Sequence, residues 1–139
     1  MRRAFTLVEL IVVVIIIGIL LSIGIPQYRK ALERSRGAEA YAGLGHIQEA
    51  EKVYYASNEA YYPCAGAECT DAEERVLDIS LPQVAWGFAI VVDNAANPPT
   101  FTATATRRAG PCAAAGSNTM TVNQLGTLTD TWKACVDTL

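Results

Sequence analysis

The sequence predicts an α+β fold, with one long N-terminal helix packed on a small antiparallel β-sheet head. Three observations carry that expectation. From Phe5 to Ile25 every residue is apolar or small apart from Thr6, Glu9 and Ser22, and about 20 such residues at the helical rise cross a bilayer. Beyond Pro26, apolar residues recur at helical spacing, which predicts an amphipathic continuation of the same helix. From Ala85 the apolar residues alternate with period two, the mark of half-buried strands.

Taken in order, residues 1–4 are a short basic leader and residues 5–25 a membrane-length helix. Arg2 and Arg3 precede the apolar run, and basic residues beside a span tend to stay cytoplasmic, so the rest of the chain is expected to face outward. A cleaved secretory signal would have an apolar core of about 7–15 residues followed by a small-x-small site. This run is longer, contains Glu9 and is followed by no such site. A carboxylate costs about 2.5–3.5 kcal/mol at the centre of a membrane helix and less near an end. Glu9 therefore needs a partner, and the only local basic residues are Arg2 and Arg3. Gly18, Ser22, Gly24 and Pro26 make a weak stretch, since each Gly costs about 1 kcal/mol relative to Ala and Pro26 removes the bond to the Ser22 carbonyl.

Residues 26–57 read as the amphipathic half. Leu32, Ala40, Leu44, Ile47, Ala50 and Tyr54 form the stripe expected to be buried, and Arg29, Glu33, Arg36, Glu39, Glu49 and Lys52 occupy the remainder. Some 53 helical residues would extend roughly 80 Å. His46, the only histidine, reads as a solvated helix position. Residues 58–84 form a connection longer than an ordinary loop. Within it, Thr70 and Glu73 fit a capping box for a short helix to about Val76, and Leu77, Ile79 and Leu81 alternate as a brief edge strand that Pro82 ends. The acidic residues Glu68, Asp71, Glu73 and Glu74 match no calcium loop and read as a solvated helix start. In residues 85–139, Trp86, Phe88, Ile90 and Val92 make a first strand and Phe101, Ala103 and Ala105 a second. Met120 and Val122 make a third, and Thr127 to Trp132 a fourth after a turn at residues 123–126.

Arg-Arg-Ala-Phe-Thr-Leu-Val-Glu-Leu at positions 2–10, followed by Gly18, Pro26 and Gln27-Tyr28, resembles the N-terminus of type IV pilin-like proteins, which include pilus subunits, minor pilins and type II secretion pseudopilins. The match is dense over about the first 35 residues. The resemblance implies cleavage between Ala4 and Phe5 by a prepilin peptidase/methyltransferase, and N-methylation of Phe5. Ala4 departs from the Gly usual before the scissile bond. The resemblance further implies that Glu9 meets the N-terminal amine of a neighbouring subunit, and that the stretch from Gly18 to Pro26 bends or melts when subunits pack. Four residues separate Glu9 from Phe5, one helical turn, so the two also lie on nearly the same face.

The cysteines are Cys64, Cys69, Cys112 and Cys135, and four cysteines allow three pairings. The preferred set is Cys64–Cys69, closing a small loop, with Cys112–Cys135 tying the C-terminal tail to the sheet. The second resembles the pilin habit of pinning the last segment, and loop closure would give it about 3 kcal/mol. The other pairings stay open. No C-x₂-C pair suggests zinc, and no metal or cofactor is expected. With one histidine, no nucleophile elbow and no phosphate-cradling glycine loop, the chain does not read as an enzyme. Without Arg2 and Arg3, nine basic residues stand against fourteen acidic ones, a net charge of −5, which argues against a general phosphate-binding surface. Arg107-Arg108, near an expected hairpin tip, offers one place where DNA could be touched; a solvated turn is the preferred reading.

The function that follows is structural: a subunit of a type IV pilus or related filament, held in membrane lipid before assembly and then polymerised through its helix. The expected partners are copies of itself or related pilins and the inner-membrane assembly machinery. The expected location is the bacterial inner membrane with a cytoplasmic N-terminus, then a surface pilus or periplasmic pseudopilus. A type II secretion pseudopilin is the rival reading, and a non-polymerising membrane-anchored extracytoplasmic domain a more distant one.

Overall fold

The computed structural model describes residues 6–64, 66, 68–114, 116 and 118–139. Helix α1 spans Leu7–Asn58 without interruption, Pro26 included. The Thr6 hydroxyl accepts the Glu9 N–H at 3.2 Å, the side-chain cap that a helix start with orphan donors requires. At the far end Glu59 turns left-handed, with φ 56°, and its N–H reaches the Tyr55 carbonyl at 2.8 Å. The helix stops there because its last turn is closed by its own backbone. A short helix α2, Asp71–Val76, begins at the Thr70–Glu73 capping box.

The head is a four-stranded antiparallel sheet in sequential order. Its strands are β1 (Trp86–Asp93), β2 (Thr100–Arg107), β3 (Thr119–Asn123) and β4 (Leu128–Asp130). Every neighbour is also a chain neighbour, as hairpin connections allow. Ala103 lies opposite Ile90, and Ala105 opposite Met120. The inward positions are Trp86, Phe88 and Ile90, then Phe101, Ala103 and Ala105, then Met120 and Val122, all buried. Small residues at the middle of β2 leave room for the large ones on either side and for α1, whose Ala40, Leu44 and Ile47 complete the core. Helix α3, Trp132–Thr138, closes the chain against α1.

Two local expectations are corrected. Residues 77–81 form no strand. The Leu77 and Ile79 N–H groups bond back to the Glu73 and Glu74 carbonyls, and Asp78 has φ 53°, so helical turns and a left-handed residue defeat the alternation. The outer side of β1 is instead met by the Cys64 and Cys69 N–H groups, which bond the Ile90 and Phe88 carbonyls at 3.2 and 2.6 Å. The fourth strand is shorter than expected because Asp130 accepts the Lys133 N–H at 2.8 Å and starts α3, which the sequence reading did not anticipate. Bonds join Cys64 to Cys69 and Cys112 to Cys135, with Cα separations of 5.0 and 5.8 Å.

Candidate assembly surface

The half of α1 that projects from the head is apolar and uncovered. Every residue from Leu7 to Ile25 is exposed, although a helix this apolar is ordinarily buried in protein or lipid. It is long and apolar enough to cross a membrane, by length and composition. Glu9 is the acid of its first turn and is exposed. At Gly18 and Gly24 an added Cβ would meet nothing within 4 Å, so neither glycine is required by packing inside this chain. Pro26 lies within the helix, and the Ser22 hydroxyl donates to the Ile19 carbonyl at 2.7 Å. Ala4 and Phe5, with Arg2 and Arg3, lie outside the described residues.

The head grips α1 along a face that the apolar stripe identified only in part. Leu32, expected inside, is 39% exposed, whereas Glu33, expected in water, is 3% exposed. The reason is Arg107, also buried. Its Nε donates to Glu33 Oε2 at 3.2 Å and its Nη2 to Oε1 at 3.0 Å, a bidentate pair of the strong geometry. Its Nη1 donates to the Ala85 carbonyl at 2.8 Å, and the guanidinium lies 5.7 Å from the Trp86 ring centre. Arg107 therefore does not sit in a solvated turn. Its neighbour Arg108 pairs with Glu68 and with the Gln83 carbonyl.

One turn above Glu33, Gly37 lets the Trp132 ring lie directly on the α1 backbone. Trp132 meets Trp86 edge to face, with ring centres 5.6 Å apart, and the Trp86 indole donates to the Arg36 carbonyl at 2.8 Å. Two turns further, Gly43 makes the same allowance for Phe88. Small residues at 37, 40 and 43 were the sequence signal for this close approach. The Cys112–Cys135 bond ties α3, and so Trp132, to the segment that follows β2.

At the upper end Glu51 is fully buried. Its Oε2 accepts the Tyr62 N–H at 2.9 Å, while Oε1 has no partner among the described residues. Burial, opposed only in part by the Tyr62 hydrogen bond, raises its carboxyl to about 7. Tyr41 donates to Asp130, and burial together with that carboxylate pushes the phenol up to about 12. Of the acidic residues of the connection, Asp71 is exposed and Glu68 pairs with Arg108. Glu73 accepts at the Thr70 cap, and Glu74 accepts the Leu81 N–H. No cluster of potential metal ligands occurs among the described residues. His46 is exposed.

This combination of a bare apolar stem and a tightly clamped head has counterparts among known proteins. Residues 26–121 match the family described as type IV minor pilin ComP, DNA uptake sequence receptor, and residues 1–25 the prokaryotic N-terminal methylation motif. The type IV major fimbrial protein FimA of Dichelobacter nodosus is 33% identical over 98 residues, covering 70% of this chain and 57% of that protein. The type IV major pilin PilA of Myxococcus xanthus is 42% identical over 60 residues, 43% of this chain and 27% of that protein. Fimbrial protein EcpC of Eikenella corrodens is 38% identical over 66 residues, 48% of this chain and 42% of that protein. The alignments thus span between about a quarter and somewhat over half of these relatives' lengths. The chain belongs to the type IV pilin family.

Proposed function

We propose that the chain is a structural subunit of a type IV pilus or related filament, stored in the membrane as a prepilin and polymerised through α1. One observation carries the reading: the apolar surface from Leu7 to Ile25 is exposed all round, with the single carboxylate Glu9 near its start. The head packs only on the other half of the helix, so lipid before assembly and neighbouring helices after it are the environments that such a surface demands. Cleavage between Ala4 and Phe5 and methylation of Phe5 belong to the same reading, supported by the match to the methylation motif over residues 1–25. The new amine would then lie one turn from Glu9, close enough to neutralise it in the membrane and to leave it for a neighbour's amine in the filament.

The description of the matching family names a DNA uptake sequence receptor, and for this chain DNA binding is not part of the proposal. Past the leader the net charge is −5, Arg107 is buried against Glu33, and Arg108 is engaged by Glu68. That leaves the predicted basic hairpin without free cations for phosphate.

The test combines Glu9→Leu with mass spectrometry of the mature N-terminus. The expected result is a chain beginning at methylated Phe5, and a Glu9→Leu variant that enters the membrane but yields no filaments. Filament yield unchanged by Glu9→Leu would remove the assembly role of Glu9. A chain still beginning at Met1 in a host with an active peptidase would remove the processing step.

A further inference from the structure

We propose that the base of the head is a docking surface for the anionic phospholipid headgroups of the leaflet it faces, holding the stored subunit upright before assembly; this rests on the membrane-stored reading above. Among residues 6–139 the net charge is −5, but it is unevenly spread. Arg29, Lys30, Arg34, Arg36 and Lys133 gather at the stem side of the head, with four acids beside them. Glu33 is neutralised by Arg107 inside the protein. Asp137 is shared by three cations: its carbonyl accepts Lys30 Nζ at 3.1 Å, and its carboxylate lies 2.7 Å from Lys133 and 3.9 Å from Arg34. Asp130 accepts the Lys133 N–H at 2.8 Å and Glu39 lines the same groove as Arg36, so the base carries a surplus of two positive charges and everything else past the leader a net of −7. A solvated surface has no need of such segregation.

Geometry places the surplus at the bilayer surface. Ile25 ends the apolar stem and α1 runs on unbroken. At 1.5 Å per residue, Arg29 and Lys30 stand roughly 6–8 Å beyond Ile25 and Arg34 roughly 13 Å. The headgroup layer adds about 5–7 Å to each side of the hydrocarbon, and charges interact over a screening length of about 8 Å at physiological salt. Tyr28, 69% exposed one turn below Leu32, stands where an interfacial aromatic ring is favoured. The Lys30 and Arg34 contacts bring the end of α3 down to this level. The side chains of Arg34 and Lys133 remain 62% and 65% exposed, so their remaining donors are open to phosphate oxygens, for which polybasic juxtamembrane segments are suited.

The experiment uses the full chain reconstituted into vesicles of phosphatidylcholine alone or mixed with phosphatidylglycerol. Flotation reports insertion, and amide hydrogen exchange of residues 132–138 reports docking. Phosphatidylglycerol is expected to slow that exchange about tenfold, the effect of one or two basic side chains gaining the surface potential. The slowing should vanish in about 1 M salt, where the screening length is about 3 Å. It should also vanish in the variant Arg29→Gln/Lys30→Gln/Arg34→Gln/Lys133→Gln, with flotation intact; should that variant fold poorly, the salt dependence of the unaltered chain decides. Equal exchange in both lipids with normal flotation would overturn the docking surface alone. Equal slowing by inorganic phosphate added to neutral vesicles would overturn lipid as the source. Failure to float with either vesicle would overturn the membrane-stored reading and the docking with it.

Discussion

Arg107→Met is the substitution that most directly tests how the head holds the stem. It leaves the Glu33 carboxylate, 3% exposed, without the two guanidinium donors at 3.0 and 3.2 Å. It also removes one of the two donors to the Ala85 carbonyl, the guanidinium at 2.8 Å, and leaves the Arg108 N–H at 3.1 Å. Removing one partner of a buried pair costs about 3–5 kcal/mol, because the remaining charge is stranded. Removing both is a different perturbation: Glu33→Leu/Arg107→Met strands no charge, and such replacements are often near neutral. The assay is urea unfolding of the full chain in detergent micelles, read by the fluorescence of Trp86 and Trp132, which both lie in the head. With a slope of about 1.5 kcal/mol/M, the single variant should lose roughly 2–3 M in midpoint, and the double variant should recover at least half of that. A single variant within about 1 kcal/mol of the unaltered chain would refute the argument, since it would place the pair in the exposed class that contributes little.

Two further outcomes follow from the same face. Glu51 keeps its proton to about pH 7 when folded, against an ordinary 4.5, so between those values the unfolded chain has lost a proton that the folded chain retains. Stability should therefore fall as pH rises through that window, by at most about 3 kcal/mol, and level off above it; Glu51→Gln should remove this part of the urea-midpoint slope, and equal slopes in the two proteins would contradict it. Ala outranks Gly by about 1 kcal/mol within a helix, yet Gly37→Ala should cost about 1–2 kcal/mol because its Cβ runs into Trp132. Gly45→Ala, which meets nothing within 4 Å, should gain about 1 kcal/mol, so thermal midpoints that shift the same way in both variants would discredit the close approach.

The legible parts of the chain were those governed by one rule at a time. The apolar run from Phe5, the capping box at Thr70–Glu73 and the alternation in Trp86-Gly87-Phe88-Ala89-Ile90 each follow from local periodicity or a local hydrogen bond, and α1, α2 and β1 carry them. What sequence periodicity missed depends on residues distant along the chain. Glu33 looks like any solvated helix acid until Arg107, 74 residues later, points into the same cavity. Arg107 looks like half of a basic turn until β2 proves long enough to bring it inside. Leu77, Ile79 and Leu81 alternate well enough for a strand, but Asp78 takes a left-handed conformation and the Cys64–Cys69 segment occupies the edge they would have needed. The bare half of α1 was readable because a long apolar run states its own requirement; the clamp was not, because ion pairs and close glycine contacts are properties of two segments together.

The separation of these two systems along one helix bears on how the subunit can change surroundings without unfolding. Glu33 is the first residue of α1 that the head buries, two turns beyond Pro26. The stretch from Gly18 to Pro26 has no packing contact within the chain that its glycines must satisfy. Backbone hydrogen bonds lost there would be lost to the stem alone, since the Glu33–Arg107 pair, the Trp132–Gly37 contact and the Cys112–Cys135 bond all lie on the head side. Local opening and global unfolding need not share one free energy when few contacts connect the segments. On the proposed filament reading, the weak stretch would be the part that yields to lipid or to neighbouring helices, while the clamp keeps the sheet in register with the upper half of α1.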